Sequence, residues 1–283
     1  MFVVGGHGYV GSKVVSAAVE VGASPQIVSR DGDTRYGRPS ISWPELIRRV
    51  GSADDPYSIV WLLDGVKHNE GVLLAELARV LSAEAHLVLV STCTVYGDAG
   101  GHLCDETWPQ QLTTPHARLN AACERLLLES RASGCIQRLG ALYGVDDRGV
   151  RVDRVEKWVG QAAEIRVVTV PDPAHWRGWV HRDQAARALC QAAVGRVSGV
   201  FNVASANYTF GGAAGFAADL FGAVVEGEGK PDPCDYRVDS TAARDAGLLD
   251  ELAGEDLAST VHAFAATKYP AAQRQDTNDG PYT

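Results

Sequence analysis

The sequence predicts an α/β protein built on a mainly parallel sheet, and three observations carry that expectation. Short apolar runs of strand length alternate with stretches of helical period along the first 145 residues. A glycine-rich turn, Gly5-Gly6-His7-Gly8-Tyr9-Val10-Gly11, separates the first such run from the first helical stretch. The apolar run at 58–63 is almost wholly hydrophobic, which suits a strand covered on both faces. Strands separated regularly by helices are βαβ units, and right-handed crossovers wind them into a doubly wound, Rossmann-like sheet.

Residues 2–5 read as the first strand, and 11–22 as a helix with Val10, Val14, Val15, Ala18 and Val19 on one face. Strands follow at 26–29 and 58–63, then a helix over 70–82 and a fourth strand at 86–91. A long helix spans 115–132, opened by Pro115 and closed by Gly134, and a fifth strand covers 136–142. Beyond residue 145 the pattern loosens. Helices at 153–163 and 182–195 alternate with short strands at 165–170 and 200–203, and the polar residues from Pro270 onward read as frayed.

Composition narrows the class. At 283 residues the chain is long enough for a full core, and 46% hydrophobic with 22% charged residues is the balance of a globular protein. The net charge of −9 argues against a nucleic-acid groove, which needs a basic face. No run reaches the roughly 20 apolar residues of a bilayer span. The chain passes straight from Met1 to the first strand without a basic leader, so the expected location is cytoplasmic. Cys93, Cys104, Cys123, Cys135, Cys190 and Cys234 are scattered without metal spacing, so they read as buried thiols and no metal site is expected.

The glycine turn carries the first functional signal. Its G-x-x-G-x-x-G spacing (Gly5, Gly8, Gly11), between strand and helix, suits a dinucleotide pyrophosphate. One glycine makes the tight turn, one lets backbone approach the phosphates, and one packs helix on strand. His7, Tyr9 and Val10 are expected cofactor contacts with these glycines, as are Leu63 and Asp64 where the 58–63 strand ends. The second strand finishes in Ser29-Arg30, which suits the 2′-phosphate of NADP(H); Asp31 keeps NAD(H) open as the less favoured choice. The expected organisation is a dinucleotide-binding unit of residues 1–145 with 179–203, and a smaller C-terminal substrate lobe of 146–178 and 204–283.

Further motifs follow in order: Ser91-Thr92-Cys93-Thr94-Val95-Tyr96-Gly97, Asp105-Glu106-Thr107-Trp108-Pro109, Arg138-Leu-Gly-Ala-Leu-Tyr-Gly144, Arg177-Gly-Trp-Val-His-Arg-Asp183 and Gly199-Val-Phe-Asn-Val203. Together with the glycine turn they cover residues 1–210, and the chain resembles an extended short-chain dehydrogenase/reductase of the nucleotide-sugar epimerase/dehydratase type. The resemblance implies a Tyr-x-x-x-Lys pair at the start of the 115–132 helix. Here that run reads Pro115-His116-Ala117-Arg118-Leu119-Asn120, so His116 stands for the tyrosine and Asn120 for the lysine. It also implies an asparagine on the substrate diphosphate where this chain has Ala141, and substrate contacts for Tyr96, Tyr143 and Arg177. A homodimer through the helices beginning near residues 70 and 115 is a further implication, with Leu126-Leu127-Leu128 available for the contact.

Reduction of a carbonyl by a nicotinamide needs a hydrogen-bond donor on the oxygen and a proton for the alkoxide. Thr92 stands at the family's Ser/Thr position and supplies the first. His116 supplies the second, because an imidazole exchanges protons near neutrality without a lysine beside it. Asn120 is left to bond the nicotinamide ribose. From Asp219 to Asp256 there are eleven acids against three bases. An acidic substrate lobe disfavours a nucleotide diphosphate and suits an amine-bearing, aminoglycoside-like sugar. The expected function is thus an NADPH-dependent ketosugar reductase of secondary metabolism, antibiotic biosynthesis included. The alternatives are a nucleotide-sugar epimerase/dehydratase with an altered acid/base pair and a non-catalytic NAD(P)-sensing protein.

Overall fold

A computed structural model describes residues 1–270 apart from Asp54, 64–68, Asp147, 150–151 and Glu251. In chain order the first half contains β1 (Phe2–Val4), α1 (Gly11–Glu20), β2 (Gln26–Val28), β3 (Thr34–Arg35), β4 (Arg38–Ile41), α2 (Trp43–Gly51), β5 (Tyr57–Trp61), α3 (Glu70–Val80), β6 (Ala85–Thr92), β7 (Asp98–Cys104), α4 (Pro115–Leu128) and β8 (Ser133–Leu139). Then come β9 (Ala141–Tyr143), α5 (Arg154–Ile165), β10 (Val167–Val170), β11 (Trp176–His181), α6 (Arg182–Gly195), β12 (Gly199–Val203), β13 (Ala206–Thr209), α7 (Phe210–Phe221), β14 (Val224–Gly227), β15 (Asp235–Val238), α8 (Thr241–Asp245) and α9 (Leu257–Lys268).

The central sheet runs β12-β8-β6-β5-β1-β2-β4-β3, parallel throughout except for the edge pair β3–β4. Alternation along each strand assigns side chains to its two faces. Val60, Val88 and Cys135 pack under α1 and α6, while Ile59, Trp61, Leu87, Leu89 and Ile136 pack under α2, α3 and α4. Both faces are therefore dry, which is why these strands read as unbroken apolar runs. The winding direction reverses at β1, whose neighbours are β2 and β5. That reversal opens a crevice at the carboxyl ends of the strands.

Residues 30–57, to which periodicity assigns no element, hold β3, β4 and α2. β4 escapes a pattern search because it is short, polar and carries Pro39, and it lies between β2 and the two-residue edge strand β3. The signal for α2 was present: the Ser42 side chain accepts from the Glu45 amide at the helix start, and Leu46 and Val50 bury one face. Two boundaries also differ. The helix from Pro115 ends at Leu128, and Gly134 lies inside β8, where a Cβ would stand 2.6 Å from the Leu127 side chain. The 136–142 strand is broken at Gly140, where a Cβ would meet the Gly178 carbonyl oxygen at 2.7 Å. Past that close approach, β9 leaves the main sheet and pairs with β11.

A second core gathers α5, α7 and α9 around Trp158, Trp179 and Phe210. The strand pairs β10–β14 and β7–β15 lie outside the main sheet. No helix among the described residues is long and apolar enough to cross a membrane. The tail 271–283 lies outside the described residues.

Candidate active site

The crevice at the carboxyl ends of β1, β2 and β5 is a cleft of about 1010 Å³. Gly5, His7, Gly8, Tyr9, Val10, Gly11, Ser29, Arg30 and Leu63 all line it, as does Asp31; Asp64 lies outside the described residues. Backbone geometry explains the glycines. Gly5 sits at φ +85°, and the Gly8 amide donates to its carbonyl at 2.9 Å. A Cβ on Gly11 would fall 2.2 Å from the same carbonyl oxygen, so no other residue fits there. Six of the other helices take a side-chain cap, from Ser42, Thr114, Asp153, His181, Thr209 and Asp256, whereas α1 begins at Val10 with none. The Ser12 and Lys13 amides turn back to the Gly8 and Val10 carbonyls at 3.2 and 2.9 Å, so it is the Gly11 end of the helix that faces the cleft, where the dipole favours an anion. Arg148 donates to the His7 and Gly8 carbonyls at 3.3 and 2.9 Å, which ties the loop to the segment after β9. Tyr9, expected on the cofactor, is nearly buried and donates its hydroxyl to the Gly144 carbonyl.

At the ribose end, the Ser29 hydroxyl is spent on its own turn: it bonds Asp33 at 2.7 Å and Ser40 at 2.8 Å and accepts from the Gly32 amide at 3.0 Å. That hydroxyl and the Arg35 guanidinium hold the Asp33 carboxyl below its usual range. Arg30 and Asp31 are exposed at the rim, with Tyr36 and Trp43 beside them in the lining. Sequence reasoning missed these two aromatics because they lie in the segment to which it assigned no element.

Val90 is the last lining residue on β6, and Thr92 follows two residues on, on the same face of the strand. Thr92 and His116 lie outside the lining itself. Thr92 caps the short turn Cys93–Tyr96 by accepting from the Thr94 amide at 3.2 Å. The Thr92 and Thr94 hydroxyls are 3.0 Å apart, and the Thr94 hydroxyl is 3.4 Å from His116 Nδ1. Thr114 caps α4 and Pro115 opens it, which places His116 in the first turn. Thr92 and His116 are thus brought together through Thr94, a residue that sequence reasoning passed over. A buried network holds the arrangement: the Glu124 carboxylate of α4 accepts from Ser91 of β6 and pairs with Arg138 of β8 at 2.8 Å. Asn120 is not brought to the same point; it is buried, and its amide donates back to the His116 carbonyl at 3.0 Å.

The three expected substrate residues are engaged elsewhere. Tyr96 is buried, donating to Asn202 at 2.6 Å and accepting from Arg138 at 3.1 Å. Tyr143 is buried and donates to the Glu255 carbonyl at 2.7 Å. Burial raises both phenols above their ordinary range, which makes them poor proton donors. Arg177 is held by Asp232, whose two oxygens lie 2.7 and 2.6 Å from Nη2, and by the Phe210 and Tyr236 rings. Both partners are almost fully buried, at 7% and 8% side-chain exposure. Asp232→Ala is expected to cost about 3–5 kcal/mol, read from the denaturation midpoint, because it strands a buried guanidinium; a loss below about 1 kcal/mol would show the pair to be incidental.

The acidic stretch is mostly a solvated surface. Asp219, Glu226, Glu228, Asp245, Asp250 and Asp256 are exposed, while Asp232 and Glu255 are spent on Arg177 and Arg187. Donor atoms of His181, Asp183 and Glu255 lie within 4.8 Å of one another, but the two carboxylates already face Lys13 at 3.2 Å and Arg187 at 2.6 Å.

A doubly wound sheet with an uncapped helix behind a glycine cradle defines a dinucleotide-binding α/β protein, and the residues present fit a nicotinamide dinucleotide. Residues 66–204 match the model of the NAD dependent epimerase/dehydratase family. That stretch and the motif order make the chain similar to this family of extended short-chain dehydrogenases/reductases, whose members are nicotinamide-dependent enzymes. Solved structures with the same fold include MoeE5 in complex with UDP-glucuronic acid and NAD, at 19% identity and TM-score 0.73, covering 94% of this chain and 99% of that one. The UDP-glucose 4-epimerase of Thermus thermophilus with NAD is similar at 20% identity and TM-score 0.72, covering 93% and 98%. The dTDP-glucose 4,6-dehydratase of Bacillus anthracis with NAD is similar at 18% identity and TM-score 0.74, covering 94% and 96%. No curated protein sequence matches the chain.

Proposed function

We propose that the chain is an NADP(H)-dependent reductase of a ketone on a sugar-like, amine-bearing substrate. The observation that carries this reading is the hydrogen-bond chain Thr92–Thr94–His116, one step along β6 from the cofactor cleft. The dinucleotide, when bound, supplies the hydride. The Thr92 hydroxyl donates to the carbonyl oxygen and polarises it, while Thr94 passes a proton from the His116 imidazole toward the developing alkoxide. Glu124 and Arg138 keep α4 from sliding against β6, which preserves the spacing. The buried Arg177–Asp232 pair leaves that guanidinium no charge to offer a diphosphate, and the exposed acids give the lobe a field that favours a cation.

The test is a screen of keto-sugars with and without amino groups, following NADPH absorbance. One-for-one oxidation with an aminated ketone supports the reading. Cofactor binding with no consumption for any ketone would favour a sensing role and overturn it. A second reading, a nucleotide-sugar epimerase or dehydratase, is favoured by the family match and the shared fold. It predicts that a UDP- or dTDP-sugar binds in a calorimeter and turns over without net use of NADPH.

A further inference from the structure

A second cavity lies behind the glycine loop, on the α1 side of His7, and encloses about 270 Å³. That is roughly nine times the liquid volume of a water molecule, enough for a tetrahedral oxyanion and part of its hydration. Four cations line it, Lys13, Arg38, Arg148 and Arg182, together with His7 and Ser12, and among the described residues no carboxylate does. The nearby acids do not match this charge. Asp146 lies 3.3 Å from both Arg148 and Arg182, and Asp183 is 3.2 Å from Lys13 and 3.4 Å from Arg182. Arg38 reaches the Ser16 hydroxyl at 3.4 Å and has no carboxylate partner among the described residues.

Two polar atoms in the wall are buried and unsatisfied, His7 Nε2 and Ser12 Oγ. A buried polar group without a partner costs about 1–3 kcal/mol, so such a pair marks a place where something polar belongs. Burial lowers the His7 pKa; Arg35, Arg148 and Arg38 push it further down, while Asp33 opposes them. His7 and Tyr36 line both this cavity and the cofactor cleft, so the two spaces adjoin at the loop. The Ser29 hydroxyl, the group expected from sequence to take a ribose phosphate, is already committed to its own turn.

We propose that this cavity binds a phosphate monoester dianion through Arg38, Lys13, His7 and Ser12, and that in the working enzyme the monoester is the 2′-phosphate of NADP(H). The assignment rests on the nicotinamide reading of the cleft. Free phosphate offers the same chemistry and is the other source to be separated.

The experiment titrates NADPH and NADH separately into the full chain, the Arg38→Ala variant and the Ser12→Ala variant, with and without inorganic phosphate, following nucleotide fluorescence. The expected result is tighter binding of NADPH than of NADH by the wild type, with phosphate competing against NADPH alone. Arg38→Ala weakens NADPH roughly 10–100-fold and leaves NADH unchanged, since it removes one charge-assisted contact from an exposed side chain. Ser12→Ala weakens NADPH severalfold in the same selective way. Equal wild-type affinity for the two nucleotides overturns the assignment to the 2′-phosphate; if phosphate still binds, its source is the free anion. An equal loss of both nucleotides in Arg38→Ala would also overturn it, by showing a structural role. If neither nucleotide binds the wild type, the nicotinamide reading itself fails.

Discussion

His116→Ala is expected to lower kcat for ketone reduction by about 10²–10⁴-fold, the usual worth of a positioned general acid. Dinucleotide affinity should stay close to wild type, because His116 lies outside the cleft lining and touches the site through Thr94. Thr94→Val should follow it in direction. It keeps the shape of the short turn but removes the hydroxyl that stands 3.0 Å from Thr92 and 3.4 Å from His116. Thr92→Val removes the donor to the carbonyl and should be at least as severe. Steady-state NADPH oxidation, set beside a direct nucleotide titration, separates these losses in kcat from losses in binding. A Thr94→Val enzyme with undiminished kcat would show that the imidazole acts without that hydroxyl.

Gly11→Ala is expected to abolish measurable dinucleotide binding and to destabilise the fold by about 1–3 kcal/mol or more, as overpacking does. The added methyl would stand 2.2 Å from the Gly5 carbonyl oxygen and 2.8 Å from Gly6 Cα, and backbone on that side cannot rotate away. The loop must open, and the amides of α1 move with it. Gly215→Ala is the matched control. It lies inside α7 with open space at its Cβ position, so the same change should be neutral or stabilising by about 0.5–1 kcal/mol. Thermal denaturation and a nucleotide titration on both variants check the contrast. Equal behaviour of the two would mean that the crowding at Gly11 is relieved without cost.

What sequence showed and what it hid follows from which forces act locally. The parallel sheet was legible because burial on both faces forces long apolar runs such as 58–63 and 86–91. The glycine loop was legible because its constraints are steric and concern its own backbone. The edge hairpin β3–β4 was not, since an exposed polar strand carrying Pro39 has no pattern of its own and is set by pairing with β2. The break at Gly140 was hidden for another reason: its cause is Gly178, thirty-eight positions away in the chain.

The same division holds at the site. Thr92 and His116 could be named from motif position, but their link through Thr94 depends on how the Cys93–Tyr96 turn faces the first turn of α4. Asn120 and Ser29 carry the residue types that a cofactor contact needs. The structure spends their side chains on a helix carbonyl and on a turn instead. Arg177 shows the converse, since nothing in its motif announces that Asp232, fifty-five residues on, neutralises it. The basic cavity was invisible because its cations come from α1, β4, α6 and the loop after β9, and only the fold assembles them.

The central claim is that an imidazole delivers the proton in this hydride-transfer site, and a pH profile of kcat tests it most directly. The wild type and His116→Ala are compared over the same range with saturating NADPH and the aminated ketone found by screening. The account predicts a limb on the wild-type profile, falling as pH rises and the imidazole loses its proton, that is absent from the variant's much lower curve. Superimposable profiles of equal height would contradict it.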